Sequence, residues 1–171
     1  MTVTAETHVR RGHPITFGLI ILFSIIELAV SAWLVARYNQ HHNYLSGSEN
    51  NRVRFLLFNS IWTLLLAPIF MGVFFAAPTS FLGSLLSHSV FIFLTWVLWL
   101  AGAAAITATL GGRLDCGLNY TYCGQLNALE AFAWIQWVLL TFALVSVILL
   151  AIRARRAGNG VKGPMVQTTT V

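Results

Sequence analysis

Four uninterrupted apolar runs constrain this chain more than any other feature. They are ITFGLIILFSIIELAVSAWLV at 15–35, FLLFNSIWTLLLAPIFMGVFF at 55–75, LSHSVFIFLTWVLWLAGAAAITA at 86–108, and a last run over 128–152. At 1.5 Å per residue, about 20 residues cross a hydrocarbon core of roughly 30 Å. Backbone groups in lipid must bond within their own segment, so each run predicts a helix, and the alternating ten-residue segments of a barrel are missing. Composition agrees. With 57% hydrophobic and 9% charged residues and a mean hydropathy of +0.76, an 18.9 kDa chain has too little interior to hide its apolar surface from water.

The expected fold class is therefore an all-α integral membrane protein, a bundle of four transmembrane helices at about 15–36, 54–76, 86–109 and 127–152. An N-terminal segment at 1–13 precedes the membrane domain at 14–156, and a tail at 157–171, rich in Gly and Thr, follows it. Arg10 and Arg11 give the first run a basic flank, but the run exceeds the 7–15 residues of a signal-peptide core, so it is expected to be retained. Residues 36–54 form a polar first connection, 76–85 a tight second one around Pro78 and Gly83, and 111–124 a third.

Four crossings put both ends on one face. That face carries Arg10, Arg11, Arg153, Arg155, Arg156 and Lys162, against Arg37, Arg52, Arg54 and Arg113 opposite. The excess of basic residues predicts cytoplasmic termini. The net charge of +5 sits beside the apolar runs, where it meets anionic lipid; nucleic acid would need a basic face on a soluble module, so none is expected as a partner.

The third connection, GGRLDCGLNYTYCG, holds both cysteines of the chain, Cys116 and Cys123. On the side away from the cytoplasm disulfides persist, and a bridge closing this short loop contributes roughly 2.5 kcal/mol in the chain-entropy account. A structural disulfide is the leading reading and free thiols the alternative. Two cysteines with no loop histidine do not make a zinc site, and no metal or cofactor is expected. Asn119-Tyr120-Thr121 is a glycosylation sequon, close to the membrane.

Polar residues inside the runs are the candidate sites. Glu27 falls near mid-bilayer, where insertion scales charge about 2.5–3.5 kcal/mol for an acid. It reads as a packing acid against Asn59, Thr63 or Thr95, as a proton- or ion-moving group, or as a sensor of lipid or partner. Asn59, His88, Thr95 and Gln136 are the other members of a thin polar inventory. Glu130 is placed in the first turn of helix four, favoured there by the helix dipole, reaching toward water. Arg52, Arg54, Arg153, Arg155 and Arg156 are placed at lipid headgroups. Pro68 is expected to kink helix two. The stretch Ala101-Gly102-Ala103-Ala104-Ala105 allows close helix approach. Trp62, Trp96 and Trp99 lie too deep for an interface belt and suit bundle packing or a sterol or sphingolipid seam. The acids at 27, 49, 115 and 130 are scattered, which argues against an enzyme and leaves no catalytic residue to name.

RVRFLLFNSIWTLLLAPIF opening helix two, with Arg52-Val53 ahead of it, and Cys116 and CGQLNALEAFAWIQWVLL from Cys123 onward resemble the fungal MARVEL-domain proteins. They are similar in particular to the group around non-classical export protein 2. The resemblance covers about residues 12–156. It implies a non-enzymatic organiser of plasma-membrane microdomains, eisosomes among them, or of vesicles, which assembles as oligomers with lipid and neighbouring membrane proteins and is linked to sphingolipid balance and unconventional export. An oligomeric channel or transporter subunit built around Glu27 is the competing reading.

Overall fold

In the computed structural model, residues 3–44, 46–76, 85–118 and 120–156 are described. Four long helices account for nearly all of them: α1 (Val3–His41), α2 (Gly47–Ala76), α3 (Leu85–Leu110) and α4 (Cys123–Arg156), with a short 3-10 turn at Cys116–Leu118 before α4. Each carries a stretch long and apolar enough to cross a membrane: Pro14–His41, Gly47–Val73, Leu86–Leu110 and Cys123–Ile152. The second connection, with Pro78 and Gly83, and the tail lie outside the described residues.

The helices pack as a ring in which α1 and α3 each border α2 and α4. Leu34, Val53, Leu56, Ala103, Ile106, Leu126, Leu129 and Ala133 are fully buried at its centre. Large apolar side chains also cover the outside; Ile15, Leu65, Phe93 and Phe142 are 65%, 63%, 52% and 65% exposed. The polar residues of the spans lie within: Ser24, Glu27, Ser31, Asn59, Ser60, Thr63, Thr95 and Gln136 are all fully buried. An apolar rim around a partly polar interior is the arrangement lipid demands, since polar groups gain nothing from facing hydrocarbon.

The helix boundaries depart from the sequence expectation. The expected polar connection over 36–54 shrinks to 42–46, because α1 continues to His41 and α2 already starts at Gly47. Ser46 Oγ accepts from the Glu49 backbone N–H at 3.1 Å, the Ser-x-x-Glu arrangement that stops a helix N-terminus from fraying. At the other end of that turn His42 takes a left-handed φ of 52° and its N–H reaches the Tyr38 carbonyl at 3.0 Å. Helix α1 starts at Val3 and runs through Pro14, and its stretch long and apolar enough to cross a membrane begins at Pro14. Helix α3 ends on Gly111, φ 71°, and the Gly112 N–H closes back onto the Thr107 carbonyl at 3.1 Å, a Schellman-type stop that glycine permits without steric cost. Pro68 is accommodated within α2.

Two reciprocal pairs of tryptophan and threonine join the helices. Trp62 Nε1 (α2) donates to Thr95 Oγ1 (α3) at 3.2 Å, and Trp99 (α3) returns a bond to Thr63 (α2) at 2.9 Å. Across α3 and α4, Trp96 donates to Thr141 at 2.8 Å and Trp134 to Thr107 at 3.0 Å. Each indole keeps its bulk in the helix interface and finds the one acceptor its N–H needs. Gly102 sets the spacing of α2 and α3: a Cβ there would stand 2.7 Å from Leu56 Cδ2 and 2.9 Å from Asn59 Nδ2. The small-residue stretch therefore serves contact inside the bundle at Gly102 and Ala103, while Ala101 and Ala104 face outward.

Candidate functional site

A polar layer occupies the middle of the bundle. On α4, Gln136 Nε2 donates to the Ile20 carbonyl at 3.2 Å and to Ser24 Oγ at 3.0 Å on α1. Asn59 Nδ2 on α2 donates to the Leu98 carbonyl on α3 at 2.9 Å. Glu27 is fully buried among these helices, and neither of its carboxyl oxygens has a hydrogen-bond donor. The expected packing partners are thus corrected: Asn59, Thr63 and Thr95 point their bonds elsewhere, to Leu98 and to the two tryptophans. Ser31 Oγ bonds the backbone carbonyl of Glu27 at 2.7 Å and leaves its carboxyl untouched.

A second polar cluster lies at the end of the bundle where both described connections meet. Tyr38 on α1 donates its hydroxyl to Glu49 Oε1 on α2; both are buried. Asn43 Nδ2 reaches the Tyr122 hydroxyl at 3.1 Å, and the Tyr122 ring meets Trp33 edge-on at 5.0 Å. Arg37 lies over the Trp33 ring at 5.4 Å, a cation–π contact suited to the headgroup level.

The two arginines of α2 brace helices. Arg52 Nη1 donates to the Ala105 carbonyl at 2.6 Å and to Thr109 Oγ1, so a cation sits on the carbonyl-rich last turns of α3, where the helix dipole favours it. Arg54 Nη2 reaches Asn39 on α1 at 2.7 Å and Nε reaches Asn50 at 3.1 Å. The anticipated headgroup position for Arg52 is therefore corrected to an interhelical one, since its guanidinium is turned onto α3; Arg54 stays exposed. Arg156 is exposed at the end of α4, while the side chains of Arg153 and Arg155 lie outside the described residues.

Glu130 is also corrected. Helix α4 begins at Cys123, so Glu130 sits two turns in, half-buried, and accepts from Thr107 Oγ1 at 2.7 Å. His88 is fully buried, its ring edge-on to Phe70 at 4.9 Å and its Nε2 3.3 Å from the Phe70 carbonyl.

Cys116 and Cys123 form a disulfide, with Cα atoms 5.5 Å apart. Asn127, one turn into α4, holds the bridged loop in place. Its Oδ1 accepts from the Leu114 N–H at 2.8 Å and its Nδ2 donates to the Leu114 carbonyl at 3.0 Å. Asn119 lies outside the described residues. Among the described residues no three His, Cys, Asp or Glu side chains are grouped to hold a metal.

The sequence profile of the MARVEL membrane-associating domain matches residues 8–146, covering all four helices up to the last turns of α4. The chain belongs to the MARVEL family. No curated protein and no solved structure matches it. This MARVEL bundle is an integral membrane protein of four helices, in a family of non-catalytic membrane modules implicated in membrane organisation. Sequence reasoning passed over Asn127, Thr107 and Thr141, and gave Glu49, Thr63 and Thr95 other roles than the ones they hold. Glu49 carried a legible signal, the Ser46-Gly47-Ser48-Glu49 capping pattern; the threonines carried none, because their role depends on the register between helices.

Proposed function

We propose that this MARVEL protein organises membrane microdomains, of the plasma membrane or of secretory vesicles, by lateral association with copies of itself, with lipid and with other membrane proteins. One observation carries the reading. The spans turn nearly every polar side chain inward, and the described connections are short, so the extended surface offered to other molecules is the apolar flank. Bordering that flank is a half-buried aromatic seam between α3 and α4, with Phe93 at its exposed edge. Phe93 and Trp96 lie 6.4 Å apart, Trp96 and Trp137 5.8 Å, and Trp137 and Trp134 5.6 Å. Rigid, flat rings of this kind suit a sterol or a sphingolipid chain. Resemblance to the fungal non-classical export protein 2 group supports placing the protein in eisosome-like domains.

The disulfide supports the orientation. It lies at the end where 42–46 and 111–122 meet, opposite both termini, and such bonds persist in an oxidising compartment. Both termini are thus cytoplasmic in this reading, in line with the basic Arg153, Arg155 and Arg156. The test is mass measurement of the complex released from native membrane in lipid particles. Oligomers with retained sphingolipid or sterol are expected; a monomer at high protein loading, carrying only bulk lipid, would overturn it.

A second reading, an oligomeric channel or transporter subunit, is favoured by the unpartnered Glu27 carboxyl. Ion or proton flux in proteoliposomes that disappears in Glu27→Gln would make it the better one.

A further inference from the structure

Cys116 and Cys123 are bonded to one another, yet the two residues sit in different surroundings. Cys116 is exposed in the loop, while Cys123 is buried and is the first residue of α4. Thiol–disulfide exchange depends on which sulfur an attacking thiolate can reach, and exposed or strained bridges are the labile ones. Here one end of the bridge is open to a small molecule and the other is shielded.

A cleft of about 420 Å³ lies beside Cys116, lined by Arg113, Leu114, Asp115, Cys116 and Gly117. Of these only Leu114 is buried. The cleft therefore sets one cation and one carboxylate next to a disulfide. Asp115 Oδ1 accepts from the Gly117 N–H at 3.0 Å, which holds that carboxylate in the wall.

Cys123 is placed as the leaving group. It opens a 34-residue helix, and a helix N-terminus favours negative charge and stabilises a thiolate. Asn127 Nδ2, besides its bond to the Leu114 carbonyl, stands 3.7 Å from Cys123 Sγ and 3.5 Å from Cys116 Sγ, within reach to donate to sulfur. The backbone beside it is constrained as well. Tyr122 takes a left-handed φ of 57°, a conformation that a bulky side chain adopts only when its surroundings impose it.

We propose that this cleft binds a small thiol of the amino-acid or short-peptide class, whose sulfur exchanges with the bridge at Cys116. The incoming thiolate attacks Cys116 Sγ and a new S–S bond forms between them. The Cys116–Cys123 bond breaks, and its electron pair leaves with Cys123 as a thiolate. One disulfide replaces another, so no oxidant or reductant is consumed. Arg113 receives the ligand's carboxylate and Asp115 its ammonium group. The product carries the ligand on Cys116 and lifts the covalent constraint next to Tyr122, whose side chain bonds Asn43 and packs on Trp33. The exchange is independent of lateral association and of lipid binding.

The test uses the oxidised full-length protein in lipid nanodiscs, treated with glutathione or with its diethyl ester, in which the carboxylates are masked. A pulse of excess maleimide traps whichever cysteine is released, and peptide mass shows which one carries the adduct. Each rate is taken relative to that thiol's rate on a small reference disulfide. The adduct is expected on Cys116 and the maleimide on Cys123. Glutathione is expected to react about threefold faster than the ester, the scale of one exposed charge pair. Arg113→Ala is expected to remove that difference and leave the ester's rate unchanged. An adduct carried mainly by Cys123, or a bridge that neither thiol opens, overturns the proposal. Equal relative rates for the two thiols in the wild type, or a preference for glutathione that survives Arg113→Ala, overturn it too.

Discussion

Trp99 on α3 donates its indole N–H to the Thr63 hydroxyl on α2 at 2.9 Å, and both residues are fully buried. Thr63 in turn gives its own proton to the Asn59 carbonyl at 2.8 Å, so one hydroxyl links the two helices. Removing the hydroxyl while keeping the shape strands a buried N–H. Thr63→Val is expected to destabilise the bundle by about 1–2 kcal/mol, and Thr63→Ser by much less. Reversible unfolding in mixed detergent micelles measures both.

Gly102 lies where α3 packs tightly against Leu56 and Asn59 of α2. A methyl group there meets Leu56 and Asn59 below ordinary contact distance, and Asn59 is tethered to Leu98. Gly102→Ala is expected to cost about 1–3 kcal/mol, the usual range for overpacking. Leu56→Ala clears one of the two collisions, so the Leu56→Ala/Gly102→Ala double variant should be more stable than the sum of the single losses predicts. A double-mutant cycle reads this coupling.

Arg52 and Arg54 stand two residues apart and differ in what they hold. Arg52→Ala strips charged donors from the end of α3 and is expected to lower stability by about 1.5–3 kcal/mol. Arg54 is exposed, and Arg54→Ala should change it by less than about 1 kcal/mol. Equal losses for the two variants would mean that both act chiefly on lipid.

The bridge between Cys116 and Cys123 should block alkylation of membranes carrying the native protein until a reductant is added. Replacing both cysteines by serine is expected to cost about 2.5 kcal/mol in the chain-entropy account. Mass shift after maleimide treatment checks the first expectation, and unfolding of the serine variant the second.

The sequence showed the spans plainly, because lipid forces some 20 apolar residues into each. It concealed where helices end, since a helix leaving the bilayer needs caps rather than hydrophobicity. Residues 47–54 are polar and were expected to form a loop, yet Ser46 and Glu49 hold them helical. Starting α4 too late also misplaced Glu130 in a first turn. Glu27 stood out as an acid in an apolar run, while its surroundings depended on interhelical register. Asn59, Thr63 and Thr95 were plausible neighbours by depth, but the tryptophans and the Leu98 carbonyl claim them. The arginines beside α2 looked like headgroup anchors because a sequence shows which residues flank a helix but not which neighbour they turn toward.

Tyr122 sits immediately before the second cysteine, and at once it bonds Asn43 and packs against Trp33 and Tyr38. The loop that holds the sulfurs is thereby riveted to the turn joining the first two helices. A ligand, antibody or sugar chain that tugs on either one pulls on both, so this end of the protein answers to touch as a single plate.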